Sequence, residues 1–129
     1  MILYLKNKPL LAFLLLASTA FSASAAPTYV SCVLPPAKKT PQLQFDFTLD
    51  ETAGLVSFYW NGQSALVKEP AVFSADKVVW NQPFYLGTTI RRTIDRVTLE
   101  YTDETITGRK VTAYKGTCKV MSAAPDRKF

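Results

Sequence analysis

Short runs in which polar and apolar residues alternate dominate this chain beyond residue 42, and they constrain its fold more than any other feature. Residues 44–49 read Gln-Phe-Asp-Phe-Thr-Leu, and Val56, Phe58 and Trp60 follow at the same two-residue spacing. Side chains of a β-strand point alternately to opposite faces, so this period predicts half-buried strands. No stretch after residue 26 shows apolar spacing at three and four residues over ten or more positions, which argues against a substantial helix.

Turn signals between these runs divide the chain into hairpins. The polar segment 50–54 joins the first two runs, and Asn61-Gly62 joins the second run to a third at residues 63–67. Both residues of an Asn-Gly pair tolerate positive φ, which makes this pair a strong hairpin signal. Further strands are predicted at residues 71–74, 77–80, 84–94 and 111–120, with a bend at Gly87, a break at Gly116 and separators at residues 75–76, 81–83 and 103–108.

A change of register near residue 95 predicts one further irregularity. Ile90 and Ile94 are apolar at even positions, whereas Val97, Leu99 and Tyr101 are apolar at odd positions. One face of a strand cannot hold both sets without an extra or turning residue. We therefore place a bulge or tight turn at Asp95-Arg96. Seven to eight short strands of this kind predict an all-β fold, either a single antiparallel β-sandwich or a small β-barrel.

The first 25 residues read as a cleaved secretory signal peptide, which leaves one domain at residues 26–129. Lys6 and Lys8 precede an apolar run at residues 10–21, and Ala23-Ser24-Ala25 matches a small-x-small cleavage site. A membrane-spanning helix needs about 20 apolar residues, more than this run contains. The sequence thus predicts a periplasmic or secreted protein without a stable membrane anchor.

Two cysteines, Cys32 and Cys118, lie near opposite ends of the mature chain. In an oxidising compartment such an isolated pair predicts one disulfide that joins the first strand to the last. Loss of Lys6 and Lys8 with the signal peptide lowers the net charge from +5 to +3, and the basic residues are spread along the chain. A nucleic-acid partner is therefore not expected.

The chain contains no histidine, and this excludes several kinds of active site. Neither a Ser-His-Asp or Cys-His nucleophile nor a histidine-ligated metal centre can form. Ser74 and Lys77 match a Ser-x-x-Lys motif but lie between two predicted strands, where a turn is the better interpretation. We expect no enzymatic activity, no cofactor and no metal site. The carboxylates considered for glycoside hydrolysis are Asp46, Asp50, Glu51, Asp95, Glu100, Asp103 and Glu104, four of which fall at predicted turns.

Four residues are candidates for binding, namely Arg91, Arg92, Trp80 and Tyr85. The arginines lie in the densest polar cluster of a predicted strand and form either a patch for an anionic partner or an ion pair with Asp95. Trp80 and Tyr85 flank a proline-containing separator, and aromatic residues are common both in cores and at interfaces.

The segment Ile94-Asp95-Arg96-Val97-Thr98, followed by Gly116-Thr117-Cys118 and a Lys-Phe end, resembles an uncharacterised family of small exported proteobacterial β proteins. That resemblance implies export and a compact β domain, but no substrate or catalytic residue. Small periplasmic lysozyme inhibitors are also β-rich and of about this size, but their glycine-flanked inhibitory loop is not recognisable in this sequence.

Together these features predict a non-enzymatic binding protein for another envelope macromolecule, either a protein or a polysaccharide, acting as an inhibitor or immunity-type factor. The alternative is a small β-barrel carrier whose apolar cavity is lined by Phe58, Trp60, Trp80 or Tyr85.

Overall fold

The structure, a computed structural model, describes residues 26–59 and 66–122. These residues form eight β-strands, numbered in chain order: β1 (Thr28–Leu34), β2 (Leu43–Asp50), β3 (Leu55–Tyr59), β4 (Leu66–Phe73), β5 (Lys77–Tyr85), β6 (Thr88–Asp95), β7 (Glu100–Thr107) and β8 (Lys110–Met121). The predicted signal peptide, Trp60, the Asn61-Gly62 pair and the Lys128-Phe129 end lie outside the described residues. Within the described ranges no helix is long and apolar enough to cross a membrane.

Each strand pairs antiparallel with the next along the chain, and β8 pairs with β1 to close a barrel. The all-β prediction is therefore confirmed, and of its two architectures the barrel is the one observed. Closure removes the exposed edges that an open sheet would present to other chains. Consecutive strands run in opposite directions, so their connections alternate between the two ends of the barrel.

The middle of the barrel is packed with aromatic side chains. Alternate residues of each strand point inwards, and the Phe47 ring lies at the centre of the resulting core. Its centroid is 5.3 Å from Phe58, 5.1 Å from Trp80 and 5.6 Å from Tyr101. Edge-to-face and tilted contacts at these distances add to the energy of apolar burial. The barrel is thus solid at mid-height, and any binding site must lie towards one end.

The seam between β1 and β8 carries the disulfide. Cys32 and Cys118 are direct cross-strand partners and are bonded, as the sequence predicted. Gly116 lies two residues earlier on β8, where an added Cβ would clash with the Val33 carbonyl oxygen. Only glycine fits this approach between the two strands.

The turn predicted at Asp95-Arg96 is present and follows β6. The Asp95 carboxylate accepts hydrogen bonds from the backbone amides of Val97 and Thr98 at 2.8 and 2.9 Å. These bonds lower the pKa of Asp95. Leu99 completes the turn with a φ of 60°, a left-handed conformation that leucine rarely adopts. The predicted change of side-chain register is thereby explained.

Several predicted strand boundaries are wrong. Residues 63–67 and 71–74 were expected as separate strands, but β4 runs through Pro70, and β5 runs through the expected separator at residues 81–83. The ladder between β4 and β5 covers only residues 71–73 and 78–80. Pro70 and Pro83 lie just outside it, on stretches where a missing amide hydrogen is tolerated.

Two further boundaries differ from prediction at the other connections. The expected strand 84–94 is divided by a tight turn at Leu86-Gly87, where Gly87 has a φ of +74°. The expected turn at residues 103–108 is mostly strand, because only Gly108 and Arg109 turn and β7 extends to Thr107.

Candidate functional site

The two ends of the barrel differ in how they are closed. At one end, Arg96 holds together the turns after β2, β4 and β6. Its guanidinium donates to both carboxylate oxygens of Glu51 at 3.0 and 3.3 Å and to the Ser74 carbonyl oxygen at 2.6 Å. We call this the closed end. The opposite end, reached by the β1–β2, β5–β6 and β7–β8 connections, is called the open end.

A cleft of about 460 Å³ lies in the barrel at the open end. Apolar side chains from the ends of the strands form most of its wall, and the β1–β2 connection covers one side. Asp103, Thr105, Thr40 and Lys115 add polar and charged groups to this wall, and the Lys115 ammonium group is paired with Glu100 at 3.7 Å. The larger apolar and aromatic wall residues are Leu34, Leu43, Phe45, Phe84, Ile90 and Tyr114, with Pro35, Pro36 and Pro41 from the connection.

Below the cleft, three buried polar side chains form a cluster around Arg92, which is itself fully buried. Its Nη1 donates to the Tyr101 hydroxyl at 2.6 Å and to Asp103 Oδ2 at 3.3 Å, and its Nη2 donates to Gln82 Oε1 at 3.2 Å. The Tyr101 hydroxyl donates in turn to Asp103 Oδ2 at 3.1 Å. A buried charge is tolerated only when it is paired and hydrogen-bonded in this way.

Aromatic rings hold the Arg92 guanidinium from the sides. Its central carbon lies 4.8 Å from the Phe45 ring centroid and 5.0 Å from that of Phe58. Stacking on aromatic faces suits the planar, weakly hydrated guanidinium better than it suits an ammonium group. Arg92 is therefore fixed in position and cannot reach into the cleft.

Burial changes the acid–base properties of this cluster. It raises the pKa of the Asp103 carboxyl, against the opposing influence of Arg92 and Tyr101, and it raises the pKa of the Tyr101 hydroxyl. Both hydrogen bonds that Asp103 accepts end on Oδ2, and the residue lines the cleft. Among the described residues Oδ1 accepts no side-chain hydrogen bond, so it can accept one from a molecule in the cleft.

The four predicted binding residues are not brought together. Arg91 and Arg92 point to opposite sides of β6, so the predicted two-arginine surface patch is wrong. Arg91 is exposed and donates to Asn81 Oδ1 at 3.4 Å. Trp80 is 1% exposed and belongs to the core, so its predicted surface position is also wrong. Tyr85 is 77% exposed beside the open end.

The alternative of an ion pair between Asp95 and a neighbouring arginine is wrong as well. The Asp95 carboxylate accepts hydrogen bonds from backbone amides of its own turn. Arg96 pairs with Glu51 instead, and Arg92 pairs with Asp103. The carrier alternative named Phe58 and Trp80 as cavity residues, but both lie in the solid core below the cleft. Trp60 falls outside the described residues.

Sequence reasoning missed Gln82, Tyr101 and Asp103 as site residues. Gln82 was placed in a separator and Asp103 in a turn, and neither was expected to be buried. The signal that could have found them is the spacing of Tyr101 and Asp103, two residues apart, which puts both on one face of any strand that contains them. The same rule applies to Trp80 and Gln82.

The other groups considered for chemistry serve local structure. The Ser74 hydroxyl bonds Asp76 and the Lys77 backbone within the β4–β5 turn, as the turn interpretation predicted. Of the carboxylates considered, Asp103 alone lines the cleft among the described residues. In those ranges no group of three or more histidine, cysteine or acidic residues could hold a metal ion.

Comparison with known proteins does not indicate a function, so the function has to be inferred from the site. No protein-family model, curated protein or solved structure matches the chain. The resemblance to small exported β proteins therefore stays a prediction.

Proposed function

We propose that this protein is a non-enzymatic binding protein that holds the apolar part of a small molecule in the cleft at the open end of the barrel. The observation that carries the proposal is the cleft itself, a mostly apolar cavity whose wall includes the buried carboxylate of Asp103. Ligand sites are concave, mostly apolar and supplied with a few converging polar groups, and the mouths of β-barrels are a common place for them.

The size of the cleft supports a small ligand. Its volume of about 460 Å³ lies within the range of roughly 300 to 1,000 Å³ that is typical of small-molecule sites. The ligand would rest on Phe45 at the bottom and contact Leu34 and Ile90 at the sides. Because the aromatic core below is filled, the molecule would occupy the mouth of the barrel and would not pass through it.

We expect the buried carboxylate of Asp103 to select the head group of the ligand, because the ammonium group of Lys115, which also lines the cleft, is exposed and already paired with Glu100. Asp103 Oδ1 accepts hydrogen bonds, so a hydroxyl or amide group with a donor hydrogen fits it. A carboxylate would face the Asp103 charge, and Arg92 stands behind Asp103, held by Tyr101 and the phenylalanine rings. We therefore propose an uncharged amphipathic molecule, such as an alcohol or amide with an alkyl chain, in preference to a fatty acid.

A fluorescence titration tests this proposal. The apolar amine N-phenyl-1-naphthylamine becomes brighter when it enters an apolar site, and octanol, octanamide and octanoate then compete with it at equal chain length. We expect saturable binding of the probe and displacement by octanol and octanamide at concentrations at least about tenfold lower than by octanoate, since one uncompensated like-charge contact exceeds about 1.4 kcal/mol.

Two variants on the same strand locate the site. Thr105→Trp fills the cleft from β7 and should abolish probe binding, whereas Thr102→Trp adds the same side chain on the outer face of β7 and should leave binding unchanged. Thermal unfolding confirms that both variants are folded. Absence of saturable binding, or equal loss in both variants, would refute the proposal.

The sequence-based expectation of an envelope macromolecule as partner, for an inhibitor or immunity-type role, stays a prediction. So do the export of the protein and the absence of catalysis.

A further inference from the structure

Charged residues are distributed unequally between the two ends of the barrel. The connections of the open end carry Lys38 and Lys39 between β1 and β2, and Arg109 and Lys110 between β7 and β8, all of them exposed. Residues 35–42, 86–88 and 108–111 contain no aspartate or glutamate. The described connections of this end therefore form a basic surface.

The closed end has the opposite character. Its turns and adjacent strand ends carry five carboxylates and two cations; of the carboxylates, Glu51 is paired with Arg96 and Glu100 with Lys115 of β8. The five carboxylates are Asp50, Glu51, Asp76, Asp95 and Glu100. Because one end of the barrel is basic and the other is acidic, an extended charged surface attracts one end and repels the other, and so orients the protein.

An exposed apolar tip lies within the basic surface. The β5–β6 hairpin ends with Phe84, Tyr85 and Leu86, which are 53%, 77% and 91% exposed. Successive large apolar residues at such exposure are unusual on a monomeric soluble domain and mark interaction sites. Leu86 and Gly87 form the turn itself, so this tip projects from the end of the barrel.

We infer that the open end docks on an anionic lipid bilayer, with residues 84–86 entering the interfacial layer and Lys38, Lys39, Arg109 and Lys110 held by anionic head groups. Basic residues close to such a surface are attracted to it over about one Debye length. Tyrosine and other amphipathic aromatic side chains favour the boundary between head groups and acyl chains. An anionic polysaccharide would satisfy the cations but would give the apolar tip no apolar environment.

This docking does not require that the cleft hold a ligand. Of the residues proposed to contact the bilayer, Phe84 alone also lines the cleft. The docking would place the mouth of the barrel against the bilayer. The acidic closed end would point away from the surface, because its excess of carboxylates is repelled by anionic lipid.

Co-sedimentation with vesicles tests the inference. We use phosphatidylcholine vesicles with and without phosphatidylglycerol, at low and at high salt, and the full mature chain with its disulfide intact. Binding is expected only to the vesicles with phosphatidylglycerol, and it should weaken at high salt. Failure to sediment with either type of vesicle at low salt would overturn the inference.

Matched variants separate the contributions of charge and apolar contact. Lys38→Gln with Lys39→Gln should weaken partitioning by more than about tenfold, since each basic residue near an anionic surface is worth about 1 kcal/mol. The control pair Lys77→Gln with Lys119→Gln removes the same charge from positions away from the open end and should change binding by less than about twofold.

The apolar contribution has its own pair. Tyr85→Ser with Leu86→Ser should abolish most of the binding that survives at high salt, whereas Val72→Ser with Val97→Ser, equally exposed on other surfaces, should not. If dextran sulfate binds the protein as tightly as the anionic vesicles do, and the Tyr85 and Leu86 changes leave vesicle binding intact, the surface belongs to an anionic polymer and the lipid assignment is wrong.

Discussion

Replacement of Arg92 by methionine should destabilise this barrel strongly and in a pH-dependent way. Methionine keeps an apolar stem of similar length but removes the donors to Tyr101, Asp103 and Gln82. Removing one partner of a buried ion pair costs about 3–5 kcal/mol, because the other charge is left uncompensated. The Arg92 side chain is fully buried and that of Asp103 is 11% exposed, so solvent screens little of this loss.

The unpaired Asp103 carboxylate of this variant can take up a proton, so the free energy lost through its buried charge cannot exceed the cost of protonating it. Holding a carboxyl of ordinary pKa in its neutral form at pH 7 costs about 4 kcal/mol, at about 1.4 kcal/mol per pKa unit. At pH 5 the same cost is about 1.5 kcal/mol. In the variant, the folded state binds a proton that the unfolded state does not, so its stability falls as pH rises between these values. The destabilisation should therefore grow from pH 5 to pH 7.

The wild-type protein has a weaker dependence of the same sign. Burial raises the pKa of Asp103, and Arg92 and Tyr101 oppose that rise, so a pH window lies between the ordinary carboxyl pKa and the raised one. Within this window stability falls as pH rises, and above it the contribution of Asp103 is constant.

Urea unfolding followed by circular dichroism at pH 5 and pH 7 measures both effects. Arg91→Met is the matched control, because it removes the neighbouring guanidinium on the outer face of β6 and should cost less than about 0.5 kcal/mol. The double variant Arg92→Met with Asp103→Leu should recover most of the loss, since an apolar pair replaces an ion pair. A cost below about 1 kcal/mol at pH 7, or one that does not change between the two pH values, would refute this reasoning.

Three further changes have defined outcomes. Replacing both Cys32 and Cys118 by alanine should lower the free energy of unfolding by about 4 to 5 kcal/mol in the chain-entropy treatment, given their sequence separation of 86 residues; an unchanged urea midpoint would contradict this. Gly116→Ala should lower the free energy of unfolding by more than about 2 kcal/mol, because the added Cβ meets the Val33 carbonyl oxygen. Calorimetry measures this loss, and a melting temperature like that of wild type would show that the strands can separate to admit the methyl group. Asp95→Ala should lower the melting temperature at pH 7 and leave it nearly unchanged below the carboxyl pKa, because the lowered pKa of Asp95 adds stability that is lost as pH falls; an equal effect at both pH values would be inconsistent with the observed turn.

Local patterns predicted the class of this fold because they act over a few residues. The alternation at residues 44–49 gave β2 with its inward face correct, and the parity change after Ile94 located the Asp95 turn. The cysteine pair indicated which strands lie side by side, because in the predicted oxidising compartment an isolated pair is expected to form one disulfide.

Closure of the barrel could not be predicted from short-range sequence patterns. Pairing of β1 with β8 joins residues at opposite ends of the described chain, and short-range periodicity carries no record of such a contact. Proline was also misleading, since the separator expected at residues 81–83 on account of Pro83 in fact lies within β5.

The candidate site was hidden by the usual preference of charged residues for solvent. Arg92 and Asp103 are each buried, and each would be assigned to the surface if considered alone. Only their position on inward faces of neighbouring strands, where they are direct cross-strand partners, makes them a pair. That information appears once the register is known.

The most direct test of the ligand site is backbone amide chemical-shift mapping during a titration with octanol. If the cleft binds the ligand, the amides of Leu34, Ile90, Asp103 and Thr105 should shift together and saturate at one concentration, while Arg96 at the closed end stays unchanged. Shifts confined to the closed end, or shifts that never saturate, would contradict the proposal that the open end of this barrel is a binding site.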